Sequence, residues 1–474
     1  MIGSVIQFVP ILRYAPLKIR IANHLRLTQV PEIILLELIG RLQFPNPKWI
    51  ENERMGRWNK GVPKTLKFYQ RSGTDGLIVP RGLMRSIVLL GRKHQETIEI
   101  EDQRRKRAEV AFAFTGELRA FQQTAAAAML ARDFGTLSAP TGSGKTIMAL
   151  FMIARRRQPA IVIVHNKELA LQWMERIESF LSIPKDQVGM IGGGRKKVGE
   201  KITVALVQSL YKCAEEIAPH FGHLVVDECH RAPSRTFTEA VTAFDAKYML
   251  GLSATPYRRD RLSKLIFWHL GDMHHEVLSS DLVASGQILD IDVVFRPTLF
   301  VAYADPVSEY SKMLSELAHN DERNRLIAAD VHSEVCERQR PGVCLVLSDR
   351  KLHCQVLQAL LKHKHHVEAE VLTGDLSMEQ RGDIVERLNA GEIRVLVATG
   401  QLIGEGFDCP RLSTLFLATP VRFSGRILQY LGRILRPSEG IERAKVYDYV
   451  DVHVAPLKAA ALARQKVYDG LHVD

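Results

Sequence analysis

Cysteine is scarce and unpatterned in this chain. The six residues Cys213, Cys229, Cys336, Cys344, Cys354 and Cys409 contain no CxxC pair. That excludes a disulfide framework and points to reduced, intracellular thiols. A zinc site assembled from Cys336, Cys344, Cys354 and the "HKHH" of residues 363–366 lacks knuckle spacing, so the basic run is expected to be a solvated loop. No apolar run approaches the roughly 18 residues of a membrane span. The opening "MIGSVIQFVPIL" is apolar but has no basic start and no small-residue cleavage site, so no signal peptide is expected and the location is expected to be cytoplasmic.

Negative charge is also in deficit. The 474 residues carry 53 Asp and Glu against 64 Lys and Arg, a formal balance of +11. Residues 1–110 hold 20 of the bases and only 10 of the acids, so nearly the whole excess lies in the first quarter. A polyanionic partner met partly by that segment is the natural reading. Within it, Trp49, Trp58, Phe68 and Tyr69 are interleaved with Lys48, Arg54, Arg57, Lys60, Lys64 and Lys67, a mixture suited to stacking on bases and pairing with phosphates.

What is present is mostly strand and helix in alternation. At roughly 100–200 residues per domain the chain should hold about three. In "LKIRIANHLRL", Leu17, Ile19, Ile21, Leu25 and Leu27 share one face. "PEIILLELIGRL" reads as a helix, and "LKFYQRSGTDGLIVP" as a hairpin. "EDQRRKRAE" (101–109) reads as a solvated linker. Beyond it "GTLSAP", "AIVIVH", "ITVALV", "HLVVDE" and "YMLGLSA" are short apolar strands among helical stretches. The rhythm resumes with "VCLVLS", "VEAEVLT", "IRVLVAT", "STLFLAT" and "AKVYDYV". The fold class is therefore α/β: a small basic α/β domain (1–111), then two successive domains of parallel sheet flanked by helices (112–290 and 291–474).

Three constellations carry chemistry. "APTGSGKT" (139–146) follows a strand and opens a helix, and matches GxxxxGK[ST] with Ala139 in the first position. Gly142 and Gly144 would let the loop that also holds Pro140, Thr141 and Ser143 curl, so that its available backbone N–H groups face one anion. Lys145 would reach the β- and γ-phosphates of ATP, and Thr146 would ligate Mg²⁺. "LVVDECH" (224–230) ends a buried strand on two carboxylates. A buried charge needs compensation; Asp227 would find it in Mg²⁺, with Glu228 acting on the attacking water. "IGGGRKK" (191–197) lacks dinucleotide-loop spacing and reads as a turn between strands. In "QYLGRILRP", Gln429, Arg433 and Arg436 fall on one face of a predicted helix, Gly432 would permit close approach, and Pro437 would end it. Paired guanidiniums there need an anion, for which a γ-phosphate held by the preceding domain is suited.

Taken in order over about residues 115–450, these motifs resemble the superfamily-2 helicases, which carry tandem RecA-like P-loop NTPase domains. The resemblance assigns "LRAFQQ" to adenine recognition through Arg119 and Gln122. It assigns His165 and Lys167 of "HNKELALQW" and Gln208 and Ser209 of "VQSL" to a nucleic-acid backbone. His230 with Ser253 and Thr255 of "GLSATP" would couple the two sites. In the second domain it implies nucleic-acid contacts from Ser348 and Arg350 of "LVLSDR", Thr373 and Gly374 of "VLTGD", and Thr399 of "VATGQLIGEGFD", and nucleotide contacts from Gly406 and Asp408. The likeness is strongest to the xeroderma pigmentosum group B type, DNA helicases or translocases. Where those carry Arg-Glu-Asp after "GLSATP", this chain has Arg258, Arg259 and Asp260, so a strand-separating role does not transfer with that triplet. DNA is accordingly expected ahead of RNA, held by its phosphates and without sequence preference. An RNA helicase, or a duplex translocase that powers a partner such as a nuclease or repair factor, fits the same motifs; a membrane partner does not.

Overall fold

The computed structural model describes residues 16–231, 235–254, 262–338, 342–404, 409, 411–421, 424–438, 440–469 and 471. Three large sheets succeed one another along these residues, and a small two-stranded one, Gln43–Pro45 with Thr65–Lys67, accompanies the first.

The first has five strands in the order Gln70–Arg71, Leu77–Pro80, His24–Thr28, Leu17–Ile21, Ile98–Asp102. The alternation in residues 17–27 belongs to a hairpin, not to one continuous strand. Ile21 pairs with Leu25 and Ile19 with Leu27. Opposed residues of an antiparallel pair point to the same face, so the apolar parity survives the fold-back and all five side chains are buried. The helix Glu32–Leu42 covers that face with Ile34, Leu35 and Leu38.

The second sheet orders its strands Arg195–Lys197, Gly189–Gly192, Ile202–Leu206, Ala160–Val164, His223–Val226, Tyr248–Ser253, Phe134–Ser138, Met273–Glu276. Apart from the outer hairpin its pairings are parallel. Ala160–Val164 is buried throughout, as a strand covered by helices on both faces must be. The hairpin is the turn expected at "IGGGRKK": Gly193 and Gly194 have φ 61° and 82°, the left-handed pair that a tight two-residue turn requires.

The third sheet is parallel throughout, in the order Asp290–Thr298, Arg443–Asp451, Leu412–Leu417, Val343–Ser348, Val395–Thr399, Glu370–Leu372. The fold is thus a basic α/β module followed by two RecA-like α/β lobes.

Two expectations are corrected. Residues 101–109 are not merely a solvated linker. Arg104, whose side chain is nearly buried, bonds Asp102 at 2.7 Å and Asp133 at 2.8 Å. Arg105 pairs with Asp245 at 2.9 Å, and Arg81 donates to the Ala246 carbonyl at 2.8 Å. Compensated charge seats the module on the first lobe, and Phe68 packs edge-on against Trp268 of that lobe at 5.4 Å. The "HKHH" run is not a loop either. It lies at the end of helix Lys351–His365, with His366 as left-handed cap at φ 52°, where cations suit the helix dipole. Among the described residues no group of three His, Cys, Asp or Glu is placed to hold a metal.

Candidate nucleotide site and interlobe cleft

The phosphate loop leaves strand Phe134–Ser138 and enters helix Lys145–Arg156. Gly142 and Gly144 have φ 88° and 82°, conformations that L side chains rarely adopt. A Cβ on Gly144 would lie 2.4 Å from Gln122 Nε2. That amide, held by the Arg119 N–H at 3.0 Å, donates to the Ser143 carbonyl at 2.8 Å. Gln122 therefore braces the loop, and Arg119 stays exposed beside it. Ser143 Oγ closes the turn on the Pro140 carbonyl at 2.8 Å. Lys145 Nζ lies across the loop, donating to the carbonyls of Ala139 at 2.9 Å and Pro140 at 3.1 Å. Burial lowers its pKa, opposed by Glu228 and Asp227.

Strand Tyr248–Ser253 separates the loop's strand from His223–Val226, which delivers Asp227. Burial, then the charge of Glu228, raises the Asp227 pKa; a hydrogen bond from Trp173 opposes them. Trp173 Nε1 donates to Asp227 Oδ2 at 2.8 Å, and the Glu228 N–H donates to Oδ1 at 2.9 Å. Trp173 was not singled out from sequence. The signal was available: a core Trp needs an N–H acceptor.

Glu228 has φ 47°, a left-handed non-glycine residue of the kind that concentrates at functional sites. Its Oε2 lies 3.1 Å from His230 Nδ1, which also lies 3.1 Å from Ser253 Oγ. His230 Nε2 is 3.4 Å from Gln429 Nε2 of the second lobe.

Helix Ser424–Ile434 brings the second lobe onto the loop. At Gly432 a Cβ would meet Thr141 Cβ at 2.3 Å and Thr141 O at 3.0 Å. Arg436 lies at Gly142, whose added Cβ would sit 3.8 Å from Arg436 Nε. Arg433 acts electrostatically on Lys145. Arg436 is not on the helix as expected. The helix ends at Ile434, because Pro437 disfavours helical backbone at the residue before it. The Leu435 carbonyl is taken by Leu289 N–H at 2.7 Å. The second lobe also grips the first through Arg381 and Glu168 at 3.3 Å.

Lys167, Gln208 and Gly374 are exposed, and His165, Ser209, Arg350 and Thr399 are half-buried. Ser348 and Thr373 are covered, at 1% and 8% exposure. Ser348 Oγ is 2.9 Å from His353 Nδ1, so its hydroxyl is directed inward in this conformation. Arg350 donates to Ser311 O and Oγ, both at 2.8 Å. Thr255, Arg258, Arg259, Asp260, Gly406 and Asp408 lie outside the described residues.

Hard oxygen donors beside an anion cradle suit Mg²⁺, which takes one or two carboxylates plus substrate phosphates. Thr141 Oγ1 is buried in the cradle with no hydrogen-bond partner among the described residues, a polar vacancy that a phosphate would satisfy.

A phosphate loop and acidic strand end in one RecA-like lobe, closed by guanidiniums from another, define a two-lobed nucleotide-driven motor. Residues 115–258 match the family described as "Type III restriction enzyme, res subunit", and residues 326–438 the "Helicase conserved C-terminal domain". The "DNA 3'-5' translocase XPB2" of Sulfurisphaera tokodaii is 27% identical over 353 residues, 68% of this chain and 79% of that protein. The "DNA 3'-5' helicase XPB" of Kineococcus radiotolerans is 26% identical over 67% of this chain and 56% of its own length. S. cerevisiae Dbp5 bound to RNA and ADP BeF3 shares the fold at TM-score 0.54 and 16% identity, covering 76% of this chain and 89% of that one. Together these matches make the chain a superfamily-2 helicase that resembles the xeroderma pigmentosum group B type. It is a nucleic-acid-dependent ATPase, and no helix among its described residues is long and apolar enough to cross a membrane.

Proposed function

We propose that the protein couples ATP hydrolysis in the interlobe cleft to movement along DNA. The observation that carries this is the seating of Gly432 and Arg436 against Thr141 and Gly142, with Arg433 near enough to act electrostatically on Lys145. Two lobes share one phosphate cradle, so the charge on the bound nucleotide sets their separation.

In this reading Pro140 to Thr146 bind the phosphates, and Arg119 and Gln122 the adenine. Asp227 and Thr146 would hold Mg²⁺, which would neutralise phosphate charge. Glu228, kept in place by His230, orients the attacking water and accepts its proton. Arg433 and Arg436 stabilise charge on the transferring phosphoryl group; loss of that charge releases the second lobe. Gln429, through His230 and Ser253, carries the state of the cleft to the strand-binding surface. Thr255 would share in that coupling, and Gly406 and Asp408 would contact the nucleotide.

Lys167, Gln208, Ser209, His165, Arg350, Gly374 and Thr399 would take the phosphodiester chain, Ser348 and Thr373 acting from beneath. Residues 1–111 add an accessory grip, and residues 112–290 and 291–474 are the two motor domains. Trp58, 82% exposed with Lys60 Nζ 5.2 Å from its ring centre, is the stacking residue this grip would use. Such contacts read no base edges, so binding should weaken steeply with salt. A nuclease or repair factor is the kind of protein partner such a motor would drive.

ATPase rates with single-stranded DNA, duplex DNA and RNA, with Lys145→Ala as the blank, test the reading. DNA should stimulate and RNA should not. Equal stimulation by RNA would overturn the assignment to DNA, and no stimulation by any polymer would overturn the coupling.

A further inference from the structure

We infer that Trp173 is a positioning residue for the metal-binding carboxylate: its indole N–H fixes the plane of Asp227 and ties that plane to the helix Lys167–Leu181. This rests on the reading of Asp227 as a Mg²⁺ ligand.

Trp173 is 1% exposed and packs in the main core of the first lobe with Ala170, Met174 and Ile177. Packing alone would be met by Phe or Leu, which bring no polar atom into the core. An indole brings one N–H, and here it is spent on Asp227 Oδ2 at 2.8 Å. Asp227 Oδ1 is taken by the Glu228 N–H at 2.9 Å. The carboxylate is thus held on both oxygens by donors it cannot carry with it. Each oxygen keeps a lone pair, so the orientation is set while capacity for a cation remains. The indole is neutral, so it fixes the acid without competing electrostatically for its charge, as a Lys or Arg partner would.

The helix that carries Trp173 is also fixed near its N-terminus. Asn166 caps it through the Leu169 N–H at 2.8 Å, directly after His165 and before Lys167. Glu168 pairs with Arg381 of the second lobe at 3.3 Å. Glu168 and Trp173 are five residues apart, about 7.5 Å along a helix axis. A shift of the second lobe is therefore delivered to the same rigid element that orients Asp227. Loss of an outer partner of this kind typically costs 10–100-fold in metal affinity.

The test measures binding of a fluorescent ATP analogue to the full chain, with excess Mg²⁺ and with EDTA. The readout is the ratio of the two affinities. Trp173→Phe should reduce that ratio about tenfold or more, while affinity in EDTA stays near wild type. A packing defect alone would lower both affinities together and leave the ratio unchanged, which overturns the inference. Asp227→Asn should collapse the ratio, and adding Trp173→Phe to it should cause no further loss. If Asp227→Asn leaves the ratio intact, the metal reading of Asp227 fails and the inference with it. If Asp227→Asn collapses it and Trp173→Phe does not, only the inference fails. Should Trp173→Phe not fold, the chain can be labelled with 5-fluorotryptophan after Trp49, Trp58 and Trp268 are changed to Phe. The remaining ¹⁹F resonance must move when Mg²⁺ joins bound ATP; an unmoved resonance overturns the inference.

Discussion

Replacing Gly432 by Ala should disable turnover without unfolding either lobe. The added Cβ would lie 2.3 Å from Thr141 Cβ and 3.0 Å from Thr141 O. Carbon atoms in contact sit at about 3.5–4.0 Å, so the helix Ser424–Ile434 must retreat from the loop by roughly 1.2–1.7 Å. Retreat carries Arg433 and Arg436 with it, since both follow Gly432 on the same stretch. A misplacement of about 1 Å can cost roughly 10²-fold in rate, or about 2.7 kcal/mol. The expected outcome is a DNA-stimulated kcat lowered about 100-fold. KM for ATP should change much less, because the phosphate loop itself is intact. The thermal midpoint should move little, since the clash is between lobes. Thr141→Gly, which deletes the opposing Cβ, should restore part of the rate to Gly432→Ala. A normal kcat in Gly432→Ala would refute the claim that the lobes work at this separation, and so would a fall confined to KM.

Other outcomes follow from the same geometry. Glu228→Gln should keep ATP binding and lose about 10²–10⁴-fold in kcat, the usual contribution of a positioned general base; pre-steady-state hydrolysis at the wild-type rate would count against its role. Arg436→Ala and Arg433→Ala should each lower kcat toward the 10³–10⁵-fold typical of arginine fingers, with nucleotide affinity better preserved. Gln429→Ala should reduce the stimulation by DNA more than the basal rate, measured as the ratio of the two; an unchanged ratio would remove Gln429 from the coupling path. The fold should also be acid-sensitive. Burial lowers the pKa of His223 to about 3, of His269 to about 4 and of His353 to about 3. Each ring is neutral when folded and binds a proton near pH 6.5 when unfolded. Their contribution is complete above that pH and falls as pH drops toward 4, by up to about 1.4 kcal/mol per pH unit for each ring. The thermal midpoint should fall steeply between pH 6.5 and 4.5, and a flat profile would refute it.

The amino-acid sequence determined the local chemistry by itself. "APTGSGKT" needs its glycines at left-handed backbone, and Gly142 and Gly144 have it. The apolar strands of both lobes were legible because a parallel strand covered on both faces must be a continuous apolar run. What the sequence could not express is which distant groups meet. Trp173 and Asp227 stand 54 residues apart, Gln429 and His230 199, and Arg105 and Asp245 140. No local pattern encodes such pairs, because a hydrogen bond or ion pair depends on where two elements are packed. For the same reason "EDQRRKRAE" reads as solvated until Asp133 and Asp245 come opposite its arginines. A helix end likewise follows local rules, but whether its next arginine reaches a phosphate is decided only when the other lobe arrives.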